Sequence, residues 1–379
     1  MKIDCTEQIE LPFMLNLPSG VYRVGGVATP YLLHVAQEQI VGYLEDGRFA
    51  IGTAVTIKQQ LGEQIKVAHW QPLRTLVAHT TSIELAEADL PLLDEKELHQ
   101  AMQSRIIGES PTTFANRTED LEAEATKRLS ELDKEASGEF LRAESVREYA
   151  RRLANAELFV ANLNRLIRLY MAQFNDFFVE EVTLHQLASN TPLRGVFTFV
   201  ACDGKPVHFY GHVGKIPPIM FKQWQNYPEP NLQKFGKLLE SGQQPDAIDL
   251  MSVRSRNCLE KGAYRSAIVE ASAALDLALS SKIREGLKAK GQSDTDISEM
   301  LRKRENQGFA DRAKGILQSA TGTTVPALDN TLWAEVSKHR TAIRQGVTHS
   351  NAEPEKAEAE KVVNDFLRLA QLIRTISVP

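Results

Sequence analysis

Two residues near the C-terminus, an arginine and a histidine, have side chains suited to chemistry on RNA. Arg344 and His349 are separated by four residues, Gln345-Gly346-Val347-Thr348. A histidine titrates near pH ~6.5 and can exchange a proton with the 2′-hydroxyl that attacks the adjacent phosphate. A guanidinium offers a planar fork of donors to the charge that then builds on the phosphoryl oxygens. The pair therefore has the chemistry for RNA cleavage without a metal ion.

The spacing alone does not identify a site, because Arg74 and His79 have the same spacing. Residues 73–79 predict a strand or the edge of a core, and we assign this second pair to chance. Arg344, in contrast, lies at the end of a predicted helix. Gly346 would let the chain leave that helix, so that His349 need not point away from the arginine.

Other motifs predict no metal or cofactor site. His208 and His212 are four residues apart and follow Cys202, but their segment predicts a strand, in which they lie ~13 Å apart. The simpler interpretation is an exposed hairpin face. The sequence contains no Walker phosphate loop, no dinucleotide fingerprint, no H-E-x-x-H and no G-x-S-x-G. These absences argue against the commonest nucleotide hydrolases, dehydrogenases, metalloproteases and serine hydrolases.

Composition and length indicate a folded protein of two domains. The chain has 379 residues, of which 42% are hydrophobic and 25% charged, with a net charge of −5. Three dispersed cysteines do not make a disulfide framework or a zinc ribbon. The sequence has no membrane span and no signal peptide, so we expect a cytoplasmic protein. The mild excess of basic residues after residue 245 is compatible with an RNA contact, although it is more typical of solvated helix faces.

Hydrophobic periodicity predicts an α+β protein with a β-rich N-terminal domain containing long helices, a linker and an all-α C-terminal bundle. Asp46-Gly47 and Asp203-Gly204 are typical of two-residue hairpin turns. The predicted segments are a β-rich region over 1–115, a long helical segment over 116–180, a hairpin over 181–220 that completes the N-terminal domain, a linker over 221–249 and a helical bundle over 250–379.

The helical segment carries an apolar stripe whose spacing alternates between three and four residues. We expect Ser137-Gly138 to divide the segment and the second half to be a core helix against a sheet, with a coiled-coil seam as the alternative. The stripe consists of Val146, Tyr149, Leu153, Ala156, Val160, Leu163, Ile167, Tyr170 and Phe174.

Within the C-terminal bundle, the pattern predicts four helices. The first has an apolar face that includes Ala267, Ile268, Ala271 and Leu275. Asp296-x-x-Glu299 could form a capping box for the next helix. Asn330 could cap a helix that runs to about Gln345, and Pro354 suits the first turn of the last helix.

The bundle resembles the HEPN superfamily, in which many members are RNases of defence and toxin systems. The resemblance rests on the Arg344-x4-His349 motif and on the first helix, Gly262-x-Tyr264-x-x-Ala267-Ile268, followed by Ala271, Ala274, Leu275 and Asp276. Asp276 stands where many members have Glu, and Gln345 stands where many have Asn. The resemblance covers residues 250–379, about a third of the chain. It implies a homodimer through the C-terminal bundle, with Arg344 and His349 of both copies in one cleft.

The sequence thus predicts a metal-independent endoribonuclease, without a cofactor, in anti-phage defence (abortive infection) or a toxin–antitoxin system. Arg344 and His349 are the predicted catalytic residues, and Asp276 and Gln345 are supporting candidates. The N-terminal domain would be regulatory and would respond to a trigger ligand or an antitoxin. The alternative is an inactive dimerisation or nucleotide-binding module. Weaker candidates for RNA contact are basic residues of the bundle, although three of them could be a solvated corner: Arg302, Lys303 and Arg304, and also Arg340.

Overall fold

The architecture is α+β, with an antiparallel sheet in the N-terminal part and helices through the C-terminal part. The structure is a computed structural model. It describes residues 1–26, 30–39, 42–43, 49–50, 66–67, 72–109, 118–132, 134–183, 195–212, 226–303, 308–345 and 354–378.

Six strands form the main sheet in the order β2-β3-β7-β1-β8-β9, and every neighbouring pair is antiparallel. Three two-residue strands form a second sheet in the order β5-β4-β6. The strands are β1 (Lys2–Glu10), β2 (Gly20–Val24), β3 (Tyr31–Gln39), β4 (Gly42–Tyr43), β5 (Phe49–Ala50), β6 (Lys66–Val67), β7 (Pro72–Glu84), β8 (Gly195–Cys202) and β9 (Lys205–His212).

The turn between β8 and β9 has the geometry that its sequence predicts. Asp203 and Gly204 both have positive φ, 48° and 76°, as a two-residue type I′ turn requires. The Asp203 carboxylate also accepts a hydrogen bond of 2.7 Å from the backbone N–H of Lys2. The other predicted turn, Asp46-Gly47, lies outside the described residues, but the strands on either side of it, β4 and β5, are paired.

Four helices follow the first seven strands: α1 (Glu95–Glu109), α2 (Thr118–Glu131), α3 (Lys134–Leu153) and α4 (Ala156–Phe174). Ser137-Gly138 lies inside α3, so it does not divide the segment as expected. The predicted stripe instead breaks between α3 and α4, where the Asn155 side chain accepts a 2.9 Å bond from the Leu158 N–H and caps α4. Val146 and Ala150 of α3 pack with Ile3 of the sheet.

Two compact units divide the chain: residues 1–164 with 182–242, and residues 165–181 with 243–379. The division falls within α4, so the predicted 116–180 segment contributes to both units. The predicted linker over 221–249 contains α5 (Glu229–Glu240) and the start of α6 (Ala247–Glu260). The Gly25 N–H donates a 3.0 Å bond to the Leu239 carbonyl, which ties α5 to the first unit.

The second unit is a helical bundle around α7, whose predicted apolar face is buried. Ala267, Ala271 and Leu275 are fully buried, and Phe366 from the last helix packs in the same core. The helices after α6 are α7 (Tyr264–Ala289), α8 (Asp294–Arg302), α9 (Phe309–Asp311), a π-helix (Arg312–Ile316), α10 (Leu317–Thr321), α11 (Val325–Leu328), α12 (Asn330–Gln345) and α13 (Lys356–Arg374).

The helix caps of this unit differ by one or a few residues from those expected. Ser293, rather than Asp296, caps α8, and its hydroxyl accepts a bond from the Asp296 N–H. Asp329, rather than Asn330, caps α12 and accepts a 2.9 Å bond from the Leu332 N–H. In both places several neighbouring residues have good capping side chains, and the pattern alone does not choose among them.

Candidate functional site

A polar stripe on α7 holds two arginines from other parts of the bundle. Ser272, Asp276 and Ser280 are spaced by four residues, so they lie on one face of α7. Arg312 begins the π-helix, and Arg340 lies in the last two turns of α12. We refer to Ser272, Asp276, Ser280, Arg312 and Arg340 as the guanidinium ladder.

Asp276 is the centre of the guanidinium ladder because its carboxylate accepts from both arginines. Arg340 donates to Oδ2 and Arg312 to Oδ1, each at 3.0 Å. Each arginine also donates from its other terminal nitrogen to a serine of α7. These bonds are 3.1 Å from Arg340 to Ser272 and 3.0 Å from Arg312 to Ser280. The three helical elements are therefore fastened to one another through one carboxylate.

An aromatic stack supports Arg340 from a second direction. The Cζ atom of Arg340 lies 4.0 Å from the ring centroid of Phe309, a cation–π distance. The Phe309 ring stacks on Trp333, with centroids 5.7 Å apart and planes inclined by 18°. The Nζ atom of Lys314 lies 5.7 Å from the centroid of Trp333. Arg340 is thus held both by hydrogen bonds and by packing.

The guanidinium ladder carries two positive charges and one negative charge, since arginine remains protonated at any ordinary pH. The side chains of Arg312, Arg340 and Asp276 are 18%, 24% and 32% exposed. The Nε atom of Arg312 is buried and has no hydrogen-bond partner among the described residues. This partly buried excess of positive charge suits an anionic group such as a phosphate.

The structure brings two of the predicted residues together, Asp276 and Arg340. Arg302 and Lys303 are exposed at the end of α8. Arg344 and Gln345 are the last two residues of α12, and their side chains are not described. His349 and Arg304 lie outside the described residues. The catalytic pairing of Arg344 with His349 therefore stays a prediction.

Sequence reasoning missed Arg312, Ser272 and Ser280. The two serines could have been identified from the sequence, because with Asp276 they repeat at the four-residue spacing of one helix face. No sequence pattern indicated Arg312, since it is 36 residues from Asp276 and contacts that residue from a π-helix. Such a helix is rare and has no simple sequence signature, although it is frequent at functional sites.

A second polar cluster connects α12 to α13, and its residues are of metal-ligating types. The Nε2 atom of His339 lies 3.1 Å from Oδ2 of Asp365 and 4.0 Å from Oε2 of Glu335. In the part of the chain that the structure describes, this is the only group of three such residues close enough to hold one metal ion. Lys361 contacts both carboxylates.

The other Arg-x4-His pair lies in β7, as the strand prediction required. The ring of His79 stacks on Tyr31 at a centroid distance of 3.7 Å, and its Nδ1 atom lies 2.8 Å from the Leu32 carbonyl oxygen. Burial lowers the pKa of His79. This histidine is engaged in packing within the sheet.

Helices in the described ranges are all too short or too polar to cross a membrane. Comparison of the chain with known protein families, curated proteins and solved structures gives no match.

Proposed function

We propose that the C-terminal bundle is a HEPN-type, metal-independent endoribonuclease that works as a homodimer. The observation that carries the proposal is the guanidinium ladder next to the end of α12. Arg340 is fixed there by Asp276, Ser272 and Phe309. Arg344 follows Arg340 by four residues, about one helical turn, in the same helix. The ladder supports the proposal because it would fix the last turns of α12 and add positive charge beside the predicted catalytic segment.

In the proposed reaction, His349 accepts the proton of the RNA 2′-hydroxyl as that oxygen attacks the adjacent phosphorus. The bond from phosphorus to the 5′-oxygen then breaks, and His349 returns the proton to the leaving oxygen. Arg344 stabilises the negative charge of the phosphorane-like transition state with its guanidinium. The products are a 2′,3′-cyclic phosphate and a 5′-hydroxyl, and no metal or cofactor takes part.

A constitutively active RNase must be restrained in its own cell, so we assign a regulatory role to the N-terminal unit. It would respond to an infection-linked ligand or to an antitoxin, in an anti-phage or toxin–antitoxin setting in the cytoplasm. This role follows from the order of the domains along the chain.

The test is incubation of the purified protein with total cellular RNA in EDTA, followed by analysis of the RNA ends. We expect the wild type to leave 2′,3′-cyclic ends. His349→Ala should reduce the rate by about 10²–10⁴, the usual contribution of a general acid or base. His99→Ala is the matched control, because His99 lies in α1 of the other unit and contacts Thr126 of α2. Unchanged cleavage by His349→Ala would contradict the assignment.

One observation favours the alternative, an inactive dimerisation or nucleotide-binding module. Both guanidiniums of the ladder already donate to Asp276, which is the arrangement of a packing contact. For such a module, RNA would remain intact with every variant, and the mass of the chain in solution would still be that of a dimer. Absence of cleavage together with absence of dimers would contradict the RNase and the dimerisation module, and absence of nucleotide binding as well would contradict the whole alternative.

A further inference from the structure

Four charged or titratable side chains meet between α12 and α13, in two pairs. Glu335 and His339 are four residues apart on α12, and Lys361 and Asp365 are four residues apart on α13. Each pair therefore lies on one face of its helix. Because the two faces meet, the cluster joins two consecutive helices. Residues 346–355 lie between these helices in the sequence.

The spacing of three of these groups suits a zinc ion. Ligand atoms at about 2.0–2.2 Å from a tetrahedral zinc lie roughly 3.3–3.6 Å from one another. The ligand atoms of His339 and Asp365 are 3.1 Å apart, and those of His339 and Glu335 are 4.0 Å apart. One imidazole and two carboxylates provide three ligands, and water can supply the fourth. The Glu335 side chain is 42% exposed, so water has access to the site.

The ammonium of Lys361 already provides positive charge at this place. Its Nζ atom lies 2.5 Å from Oε2 of Glu335 and 3.6 Å from Oδ2 of Asp365. The lysine side chain is 55% exposed, so it can swing into solvent with little loss, since exposed ion pairs contribute little to stability.

We propose that Glu335, His339 and Asp365 bind Zn²⁺ and thereby fasten α12 to α13, with Lys361 as the cation that the metal displaces. The imidazole selects zinc over magnesium, because Mg²⁺ prefers oxygen ligands in octahedral geometry. The site is separate from the proposed RNase reaction, and it does not depend on that reaction.

The test is isothermal titration of the full-length, metal-stripped chain with ZnCl₂, and with MgCl₂ as the comparison. We expect one zinc site that Asp365→Asn and His339→Ala each weaken by about ten-fold or more, by analogy with the effect of outer-shell changes at metal sites. Lys361→Met should tighten zinc binding, because it removes the competing charge and keeps the aliphatic stem. His99→Ala is the control histidine and should leave the affinity unchanged.

Lys361→Met keeps the proposal testable even if His339→Ala fails to fold, because a gain in affinity requires a folded site. Co²⁺ in place of Zn²⁺ gives a second measurement, the visible absorption of a four-coordinate ion, which Asp365→Asn should reduce. No zinc binding, zinc affinity that is equal in wild type and Asp365→Asn, or equal affinities for zinc and magnesium would each overturn the proposal. The cluster would then be an ion-pair network alone.

Discussion

Two arginine–histidine pairs with the same spacing lie in different kinds of structure. Arg74 and His79 are both in β7, whereas Arg344 is in the last turn of α12 and His349 follows that helix in sequence. Alternate residues of a regular strand point to opposite faces, so two residues that are five apart in a strand face opposite sides of the sheet. In an α-helix that ends between the two residues, the spacing imposes no such separation. The difference teaches that secondary structure, rather than spacing, decides whether such a pair can share a site.

Among the tests of this comparison, Arg344→Ala has the largest expected effect, and Arg74→Ala is its counterpart in the strand pair. Arg344→Ala should reduce RNA cleavage by about 10²–10³, the typical cost of losing a donor to transition-state charge. Expression of this variant should be harmless to cells in which the wild type is toxic. Arg74→Ala, in β7, should remain as toxic as the wild type. Equal toxicity of both variants would remove the distinction between the two pairs.

Asp276 offers a sharper test, namely whether the guanidinium ladder fixes the last turns of α12, where Arg344 lies. Asp276→Ala leaves two partly buried guanidiniums without their carboxylate, so we expect a loss of about 1–3 kcal/mol in the free energy of unfolding. A double-mutant cycle with Arg340→Ala should give a coupling energy of about 0.5–3 kcal/mol. Urea unfolding measures both quantities. Additive effects of the two substitutions would mean that the ladder does not hold α12.

The smallest effect concerns His79 and the pH dependence of stability. Burial lowers the folded-state pKa of His79, so the folded protein holds this proton less tightly than the unfolded chain. The contribution of neutral His79 to the free energy of unfolding is complete above the unfolded-state pKa of about 6.5. It is lost as the pH falls toward the folded-state pKa. Wild type should therefore lose more stability between pH 7.5 and pH 5 than His79→Gln does. Equal losses in urea unfolding would show that His79 is not held neutral by packing.

The sequence was most informative where one physical rule acts alone. The Asp203-Gly204 turn was predictable because few residues other than glycine, asparagine and aspartate tolerate positive φ. The buried face of α7 was predictable because helical periodicity aligns its apolar residues. The break between α3 and α4 was not, because the apolar stripe continues through it while Asn155 begins a new helix.

The candidate site was only partly accessible from the sequence. Asp276 was identified through the resemblance and Arg340 as a weak candidate, but their contact was not predicted. It depends on how α7 and α12 pack, and that packing joins residues 64 positions apart. The position of Arg312 depends in addition on the rare backbone geometry of the π-helix.

The π-helix between α9 and α10 makes this part of the chain sensitive to its length. A π-turn contains more residues than an α-turn, so Arg312–Ile316 holds about one residue beyond what an α-helix would need. Inserting one more residue after Arg312 would add a helical step and rotate Arg312 by about 100° relative to Leu317. Because Leu317 is anchored in the core, the arginine would turn away from Asp276. This segment therefore tolerates exchanges of its exposed side chains far better than a change in the number of its residues.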